Sequence, residues 1–384
     1  MKKYTFKSQY IYIDPFNSSN SGVTNYIKAS KKILEENLII KVDIIQIKDT
    51  ESIYEFSLRV ASLLKKMDYF CVEFPESMAT SRFLEDYTKV HIRIHCGKTL
   101  GKFIQNQYYK KEEYFAEKEA ITKAKWVSSP SYLGWEFTSD FYKVKRSILI
   151  YPNPLDLSFI PEYSFDNKNI PVLFLGRFQD LKGINFLKKI QKKLPFKITI
   201  LTSDKSYKSP IFSVKYHNTV EEKFEILART KILIVPSIFD IYSMVSLEAI
   251  ACQAKVITWS HIGITEYFDN DKIIVIKPWN IELFSEMILN TLKNKEYFEK
   301  EEVKKINILF INFFHDFLNL RTTALPPHDL AVKQLKLNDL KIKIENLSIF
   351  NRRNRFYRKI KKLITNPINF FIDFIIKIRN NFLI

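Results

Sequence analysis

Two doubly wound α/β domains facing a shared cleft, followed by a basic amphipathic helical tail, are what the 384-residue sequence predicts. Three observations carry that prediction. Short apolar runs alternate with longer amphipathic stretches between residues 10 and 151. The same rhythm restarts beyond a proline-bearing stretch at 152–169 and runs to residue 276. Nine basic residues then face a single acid, Asp373, within 351–384.

In the first half, the runs at 10–13, 39–47, 69–73, 90–95, 126–128 and 147–151 read as strands, rich in β-branched and aromatic residues. Residues 23–36, between the first two, carry helical spacing. The second half offers strands at 171–175, 197–201, 232–235, 256–258 and 273–276. Helical segments at 185–193, 221–228 and 243–252 separate them. Strand–helix alternation of this kind builds a parallel sheet, because each parallel connection must cross over. Pro152, Pro154 and Pro161 mark the linker, so the expected domains are 1–160, 161–320 and, for the tail, 321–384. Ligands of such sheets bind beyond the carboxyl ends of the strands, which places the expected chemistry in the cleft.

Composition agrees with this and removes other classes. Hydrophobic residues make up 46% and charged residues 27%, while 32 Phe and 20 Tyr provide large core side chains. With 7 Gly and 14 Pro, collagen-like and low-complexity chains are excluded. The three cysteines, Cys71, Cys96 and Cys252, form no CxxC pair, so neither a zinc ribbon nor a disulfide framework is expected, and a reducing compartment fits. The apolar stretch at 10–13 is too short for the core of a secretory leader, and no 18 apolar residues run uninterrupted. A cytoplasmic protein without a spanning helix is the expectation.

The positive charge is concentrated. Of the net +18, the last 34 residues hold +8. Phe356, Ile360, Leu363 and Ile364 fall on one helical face. Asn366 and Pro367 suit a helix N-cap and first helical position, and Ile368, Phe371, Ile372 and Ile375 repeat the apolar spacing. A basic amphipathic pair of this kind suits an anionic inner-leaflet surface, where each basic residue contributes on the order of 1 kcal/mol. Peripheral attachment to the inner face of the cell membrane through 351–384 is therefore expected, the alternative being a tail packed on the protein body. No helix-turn-helix, zinc finger or RNP-like string accompanies the charge, so no nucleic-acid partner is expected.

Several short motifs fail on inspection. Gly97-Lys98-Thr99 lacks the earlier glycine of a phosphate-binding loop, since position 92 is Ile. His91 and His95 lie in an alternating strand run, where four residues span roughly 13 Å and cannot share an ion. Asp269-Asn270-Asp271 reads as a turn rather than a metal-binding DxD. No metal site is expected.

Two longer segments survive. Gly176-Arg177, four residues, then Lys182-Gly183 follow an apolar strand and precede a helix. Two cations there can converge on a diphosphate, aided by the helix terminus. Pro236-Ser237 leads into Asp240 in the turn before the next helix, with Glu248 inside that helix. The two carboxylates read as clamps for hydroxyls on different parts of one ligand, with the backbone N–H groups of Tyr242, Ser243 and Met244 toward phosphate.

Together these segments resemble the signatures of retaining GT-B glycosyltransferases, in particular glycosyltransferase family 4. That family shows G-R-x4-K-G and then P-S-x2-E-x7-E, with the second Glu in L-E-A-x-A. Arg177, Lys182 and Glu248 match, and Asp240 replaces the first Glu. Tyr151-Pro152-Asn153-Pro154-Leu155-Asp156, Gly263-Ile264-Thr265-Glu266 and Ser129 resemble further landmarks, and the match spans roughly residues 10–290.

The resemblance implies a nucleotide-diphosphate sugar as donor, bound without metal or other cofactor, and a saccharide or lipid-linked acceptor in surface-polysaccharide or lipopolysaccharide assembly. Arg177 and Lys182 inherit the diphosphate, Glu248 the ribose and Asp240 the transferred sugar. His95 resembles the histidine that reaches the donor sugar. Ser21 and Gly22 stand where the family has a Gly-Gly loop near phosphate and acceptor, and Glu266 lies near the same pocket. The same fold also hosts nucleotide-sugar epimerases, and a catalytically inactive sugar-nucleotide binder or scaffold subunit is the non-enzymatic alternative.

Overall fold

The computed structural model describes residues 5–16, 18, 21–161, 168–268, 271–293 and 301–319. The tail expected at 321–384, with its basic segment 351–384, lies outside them, as do Asp269 and Asn270. The chain begins β1 (Thr5–Asp14), α1 (Gly22–Asn37), β2 (Ile39–Gln46), α2 (Ile53–Leu64), β3 (Cys71–Pro75) and β4 (Val90–Arg93). It continues α3 (Lys98–Ile104), α4 (Lys111–Lys123), β5 (Trp126–Ser129), α5 (Tyr132–Tyr142) and β6 (Leu149–Ile150). These six strands form one sheet in the order β2-β1-β3-β4-β5-β6, all pairs parallel.

The second sheet comes from β7 (Ile170–Leu175), α6 (Ile184–Gln191), β8 (Thr199–Thr202), β9 (Ser213–Tyr216), α7 (Val220–Ala228) and β10 (Thr230–Val235). It ends α8 (Met244–Ala251), β11 (Lys255–Trp259), β12 (Ile273–Ile276) and α9 (Ile281–Lys293). Its order is β12-β11-β10-β7-β8-β9, again parallel throughout. Parallel strands are covered on both faces, which is why Tyr10, Ile11, Tyr12 and Ile13 are all fully buried rather than alternating. β9 escaped the sequence reading because it is an edge strand with two exposed and two half-buried residues and no apolar run.

Local signals explain the helix starts. Ser21 caps α1 by accepting from Thr24 N, and Ser52 with Glu55 forms a reciprocal capping box at α2. At α3 the cap comes from elsewhere. Glu117, on α4, accepts from the backbone N–H groups of Lys98 and Thr99 at 2.9 and 3.0 Å and from the Thr99 hydroxyl. The Gly97-Lys98-Thr99 string that imitates a phosphate loop is thus answered by a carboxylate of the protein itself.

A buried lysine and a buried polar cluster test the packing. Lys168 donates to the carbonyls of Ala228, Thr230 and Cys252 at 2.8–3.0 Å, three acceptors for three N–H bonds, and burial pulls its pKa down to about 8. In the first domain, Tyr10 donates to Glu73 at 2.7 Å, and His91 lies 2.9 Å from the Tyr10 hydroxyl and 2.7 Å from Ser128 Oγ. His91 is a satisfied core histidine, held neutral by burial.

A last helix, α10 (Glu301–Leu318), joins the two halves. Val303 and Ile306 lie in the second core, whereas Phe310, Phe314 and Phe317 lie in the first, against Tyr10, Tyr12 and Tyr151. Tyr151 stacks on Phe313 with centroids 3.9 Å apart. The range 161–320 expected for the second domain therefore ends in a helix that both domains share. Replacing Phe314, which is wholly buried, by Ala should cost about 3–5 kcal/mol of stability. Denaturant unfolding of the purified chain checks this.

Candidate functional site

In each sheet one pair of neighbouring strands comes from connections that leave in opposite directions, and a crevice opens beyond their carboxyl ends. In the second sheet that pair is β7 and β10, with Leu173 opposite Leu233. The loop after β7 holds Arg177 and Lys182, and the loop after β10 holds Asp240, Tyr242 and Ser243, so the two surviving motifs lie side by side. Their contact is backbone to backbone: Ile238 N donates to Leu181 O at 2.9 Å. Gly183, at φ +78°, passes so close to Pro236 that a methyl group would overlap its carbonyl.

Both carboxylates of the second motif are paired with lysines. Lys182 Nζ lies 2.5 Å from Asp240 Oδ2, and Asp240 Oδ1 accepts from Ser243 N at 3.0 Å. Lys223, from α7, lies 2.7 Å from Glu248 Oε1. The other oxygen, Glu248 Oε2, is buried and accepts no hydrogen bond among the described residues. Arg177 is exposed and makes no ion pair among the described residues. The Ser243 N–H, expected to face phosphate, is thus already taken by Asp240. Ser243 itself adopts φ +65°, and its hydroxyl bonds Ser246 at 2.8 Å, which turns the chain into α8. Tyr242 is buried edge-on against Tyr267, and Met244 opens α8.

The first domain presents the turns after β1, β3 and β4. Ser21 and Gly22 start α1 after β1, and among the described residues nothing lies within 4 Å of a Cβ added at Gly22. His95 follows β4. Its backbone N–H donates to both oxygens of Glu76 at 2.9 Å, and its ring packs on Tyr26 with centroids 5.0 Å apart. Burial, and then the Arg93 charge, hold His95 well below the usual histidine range, so it is neutral at pH 7. Beside it, burial raises the Cys96 thiol, and the charges of Glu76, Asp240 and Lys182 also reach it. The turn carrying His95 and Cys96 is thus within electrostatic reach of Lys182 and Asp240.

Glu266, expected near the same pocket, is engaged by backbone donors of α5. Its two oxygens accept from Tyr132 N and Leu133 N, both at 2.8 Å, so it caps α5 from the other domain. Ser131, the α5 N-cap, donates to the Ile241 carbonyl at 2.6 Å, and Ser129 donates to the Ser131 carbonyl at 2.7 Å. Gly263 lies where any side chain would strike that same Ile241 carbonyl. The seam fixes the loop that carries Asp240.

Arg93, fully buried, donates to Tyr151 O at 2.9 Å and Asn153 Oδ1 at 2.7 Å, and so ties the end of β4 to the linker. Sequence reasoning missed Arg93, Glu76 and Lys223. The Tyr151-Pro152-Asn153 landmark was the only signal toward Arg93; nothing in sequence pairs Lys223 with Glu248. Among the described residues, no three His, Cys, Asp or Glu side chains converge as a metal site would require, and no helix is long and apolar enough to cross a membrane.

Three predictions follow from this geometry. Gly183→Ala should lower the unfolding midpoint by more than about 5 °C, because φ +78° alone costs about 1–2 kcal/mol before the overlap is counted. Gly22→Ala should leave the midpoint unchanged or raised, so any activity it loses reports a ligand beside Gly22. The third prediction concerns pH. Burial pushes Glu76 from 4.5 up to about 8, so the folded protein keeps a proton that the unfolded chain has released. That contribution to stability declines as pH rises from about 4.5 and is gone above about 8. Between pH 6.5 and 8.5 the wild-type midpoint should fall, and Glu76→Gln should fall less; equal slopes in thermal scans would refute the assignment.

Comparison with known proteins places this geometry. Residues 170–294 match the family model described as glycosyl transferases group 1. No curated protein is matched by the sequence. Among solved structures, sucrose-phosphate synthase (tll1590) from Thermosynechococcus elongatus superposes with a TM-score of 0.63 at 14% identity, over 82% of this chain and 100% of that one. WaaG, a glycosyltransferase involved in lipopolysaccharide biosynthesis, gives 0.57 at 14% identity, over 79% and 94%. Anabaena Alr3699/HepE in complex with UDP and glucose gives 0.55 at 11% identity, over 89% and 99%. The fold is that of the GT-B glycosyltransferases, and its second domain carries the group 1 glycosyl transferase pattern.

Proposed function

We propose that the protein is a retaining glycosyltransferase that moves a hexose or related sugar from a nucleoside-diphosphate donor to a hydroxyl of a saccharide or lipid-linked acceptor. The observation that carries this is the crevice between β7 and β10. Its loops carry Arg177 and the Lys182–Asp240 pair, α8 carries Glu248 paired with Lys223, and Glu248 keeps a buried oxygen without a donor among the described residues. Arg177 and Lys182 take the diphosphate, with the N–H groups of Tyr242 and Met244 at the start of α8, and Glu248 takes a ribose hydroxyl. Ser243 contributes by setting the turn, and Asp240 reaches hydroxyls of the transferred sugar once diphosphate draws Lys182 away. His95, neutral, offers a ring N–H or lone pair to the same sugar. Ser21 and Gly22 border the acceptor side.

In the reaction, the bond between the anomeric carbon and the β-phosphate oxygen breaks, and the acceptor oxygen bonds to the same face of that carbon. The acceptor proton passes to the departing diphosphate, so no enzymic base is needed. Cations on the leaving group stabilise the charge that develops there, which makes a metal-independent reaction the expectation. The WaaG likeness and the basic segment 351–384 support a role in surface-polysaccharide assembly at the inner face of the membrane. One observation favours a second reading, a sugar-nucleotide binder without transferase activity: both Asp240 oxygens are already engaged.

Calorimetric titration with UDP, GDP, ADP and CMP in the presence of chelator tests the donor site. One diphosphate should bind, and Glu248→Ala should weaken it by roughly tenfold to a hundredfold, the worth of hydrogen bonds to a charged group. Binding by none of them sinks the donor-site reading. Binding without transfer to any saccharide or lipid-linked acceptor favours the second reading.

A further inference from the structure

Arg93 closes β4 as a wholly buried charge, and its hydrogen bonds among the described residues go to two linker oxygens, Tyr151 O and Asn153 Oδ1, from one nitrogen. Nε and Nη1 meet no acceptor among the described residues. Instead the guanidinium lies over two rings, with Cζ 3.7 Å from the Tyr151 centroid and 5.2 Å from that of Tyr26. An apolar side chain of similar volume would fill the same space without the cost of taking a charge out of water. What the charge gains is a hold on its surroundings. Two residues further along the chain, His95 packs on the same Tyr26 ring, with centroids 5.0 Å apart. The backbone between them is pinned to the end of β3, since Glu76 N donates to Arg93 O at 3.2 Å and the Glu76 carboxylate accepts from His95 N. Burial, and then the Arg93 charge, keep the imidazole neutral. A neutral imidazole has one donor and one acceptor nitrogen, so the orientation of its ring decides which of them a ligand meets.

We infer that Arg93 is a positioning residue for His95: it holds the Tyr26 ring against which the imidazole is oriented, and ties that ring to the linker between the domains. The inference rests on the donor-site reading above, in which His95 meets the transferred sugar, and adds the residue that sets its pose. Arg93 touches no ligand in this arrangement. It acts through Tyr26, which lies against both side chains, and through Tyr151 and Asn153, which place the guanidinium. Tyr151 is itself stacked on Phe313 of α10, so the array Phe313, Tyr151, Arg93, Tyr26 and His95 runs from the shared helix to the cleft. Loss of the cation leaves the Tyr26 ring without its partner and lets the imidazole turn, while Arg177 and Lys182 stay as they are.

The test is calorimetric titration of the full chain with UDP, GDP and ADP, and with UDP-glucose, GDP-mannose and ADP-glucose. Arg93→Gln should weaken the nucleotide sugar roughly threefold to tenfold and the matching diphosphate by less than about twofold. Arg93→Lys, which keeps a cation over the rings, should lose less than Arg93→Gln. His95→Ala should also weaken the nucleotide sugar, and in that background Arg93→Gln should add less than about twofold, because its effect passes through the imidazole. If Arg93→Gln does not fold, Asn153→Ala serves: it removes one linker bond and should weaken the nucleotide sugar only while His95 is present. Equal weakening of sugar nucleotide and diphosphate, a loss that persists without His95, no loss at all, or a Lys variant no better than Gln overturns this inference alone. A wild type that binds diphosphates but no nucleotide sugar, or that binds nucleotide sugar as well after His95→Ala, removes the sugar contact at His95 and this inference with it, and leaves the diphosphate site standing. Binding of none of the six overturns the donor-site reading as a whole.

Discussion

Everything in the site depends on how closely two loops approach at the ends of β7 and β10. The strands are neighbours in the sheet but distant in the chain, and their connections leave on opposite sides. That topology opens a crevice, and the absence of a side chain at Gly183 lets the Pro236 carbonyl close its floor. With the floor closed, Lys182 and Asp240 come within ion-pair distance, although 58 positions separate them. The left-handed turn at Ser243 then directs α8 so that Glu248 faces Lys223.

Charge in the crevice is arranged rather than accumulated. Each carboxylate is met by a lysine, so the free cation is Arg177 among the described residues, and the start of α8 adds its partial positive charge. The shorter Asp240 is part of this arrangement: its carboxylate reaches both Lys182 and the Ser243 N–H, and so steadies the loop as well as the cation. Across the cleft, Arg93 is the charge of the first domain that acts on His95. Burial keeps that ring neutral and keeps Glu76 protonated over much of the neutral range.

The domains are held together by more than the linker. α5 enters the second domain through the carbonyl of Ile241 and the carboxylate of Glu266, both of which satisfy donors at its N-terminus. α10 returns the chain to the first core with Phe310, Phe314 and Phe317, while Arg93 pins the linker from beneath. These contacts surround the loop bearing Asp240, so the position of its carboxylate is a property of both domains.

The sequence by itself determined the alternation of strands and helices, the two parallel sheets and the two loops that carry Arg177, Lys182, Asp240 and Glu248. Those features follow from local periodicity and from spacing within short segments, which a linear reading can see. Only the tertiary structure decided that Glu266 caps α5, that Glu117 fills the false phosphate loop, that α10 is shared by both domains and that Lys223 meets Glu248. Edge strand β9 and buried Arg93 also escaped, the first for want of an apolar run and the second because a buried charge has no sequence signature of its own. Apart from β9, the physical reason is shared: each feature depends on a partner that is not its neighbour in the chain, and contacts of that kind are set by distances that exist only once the chain has folded.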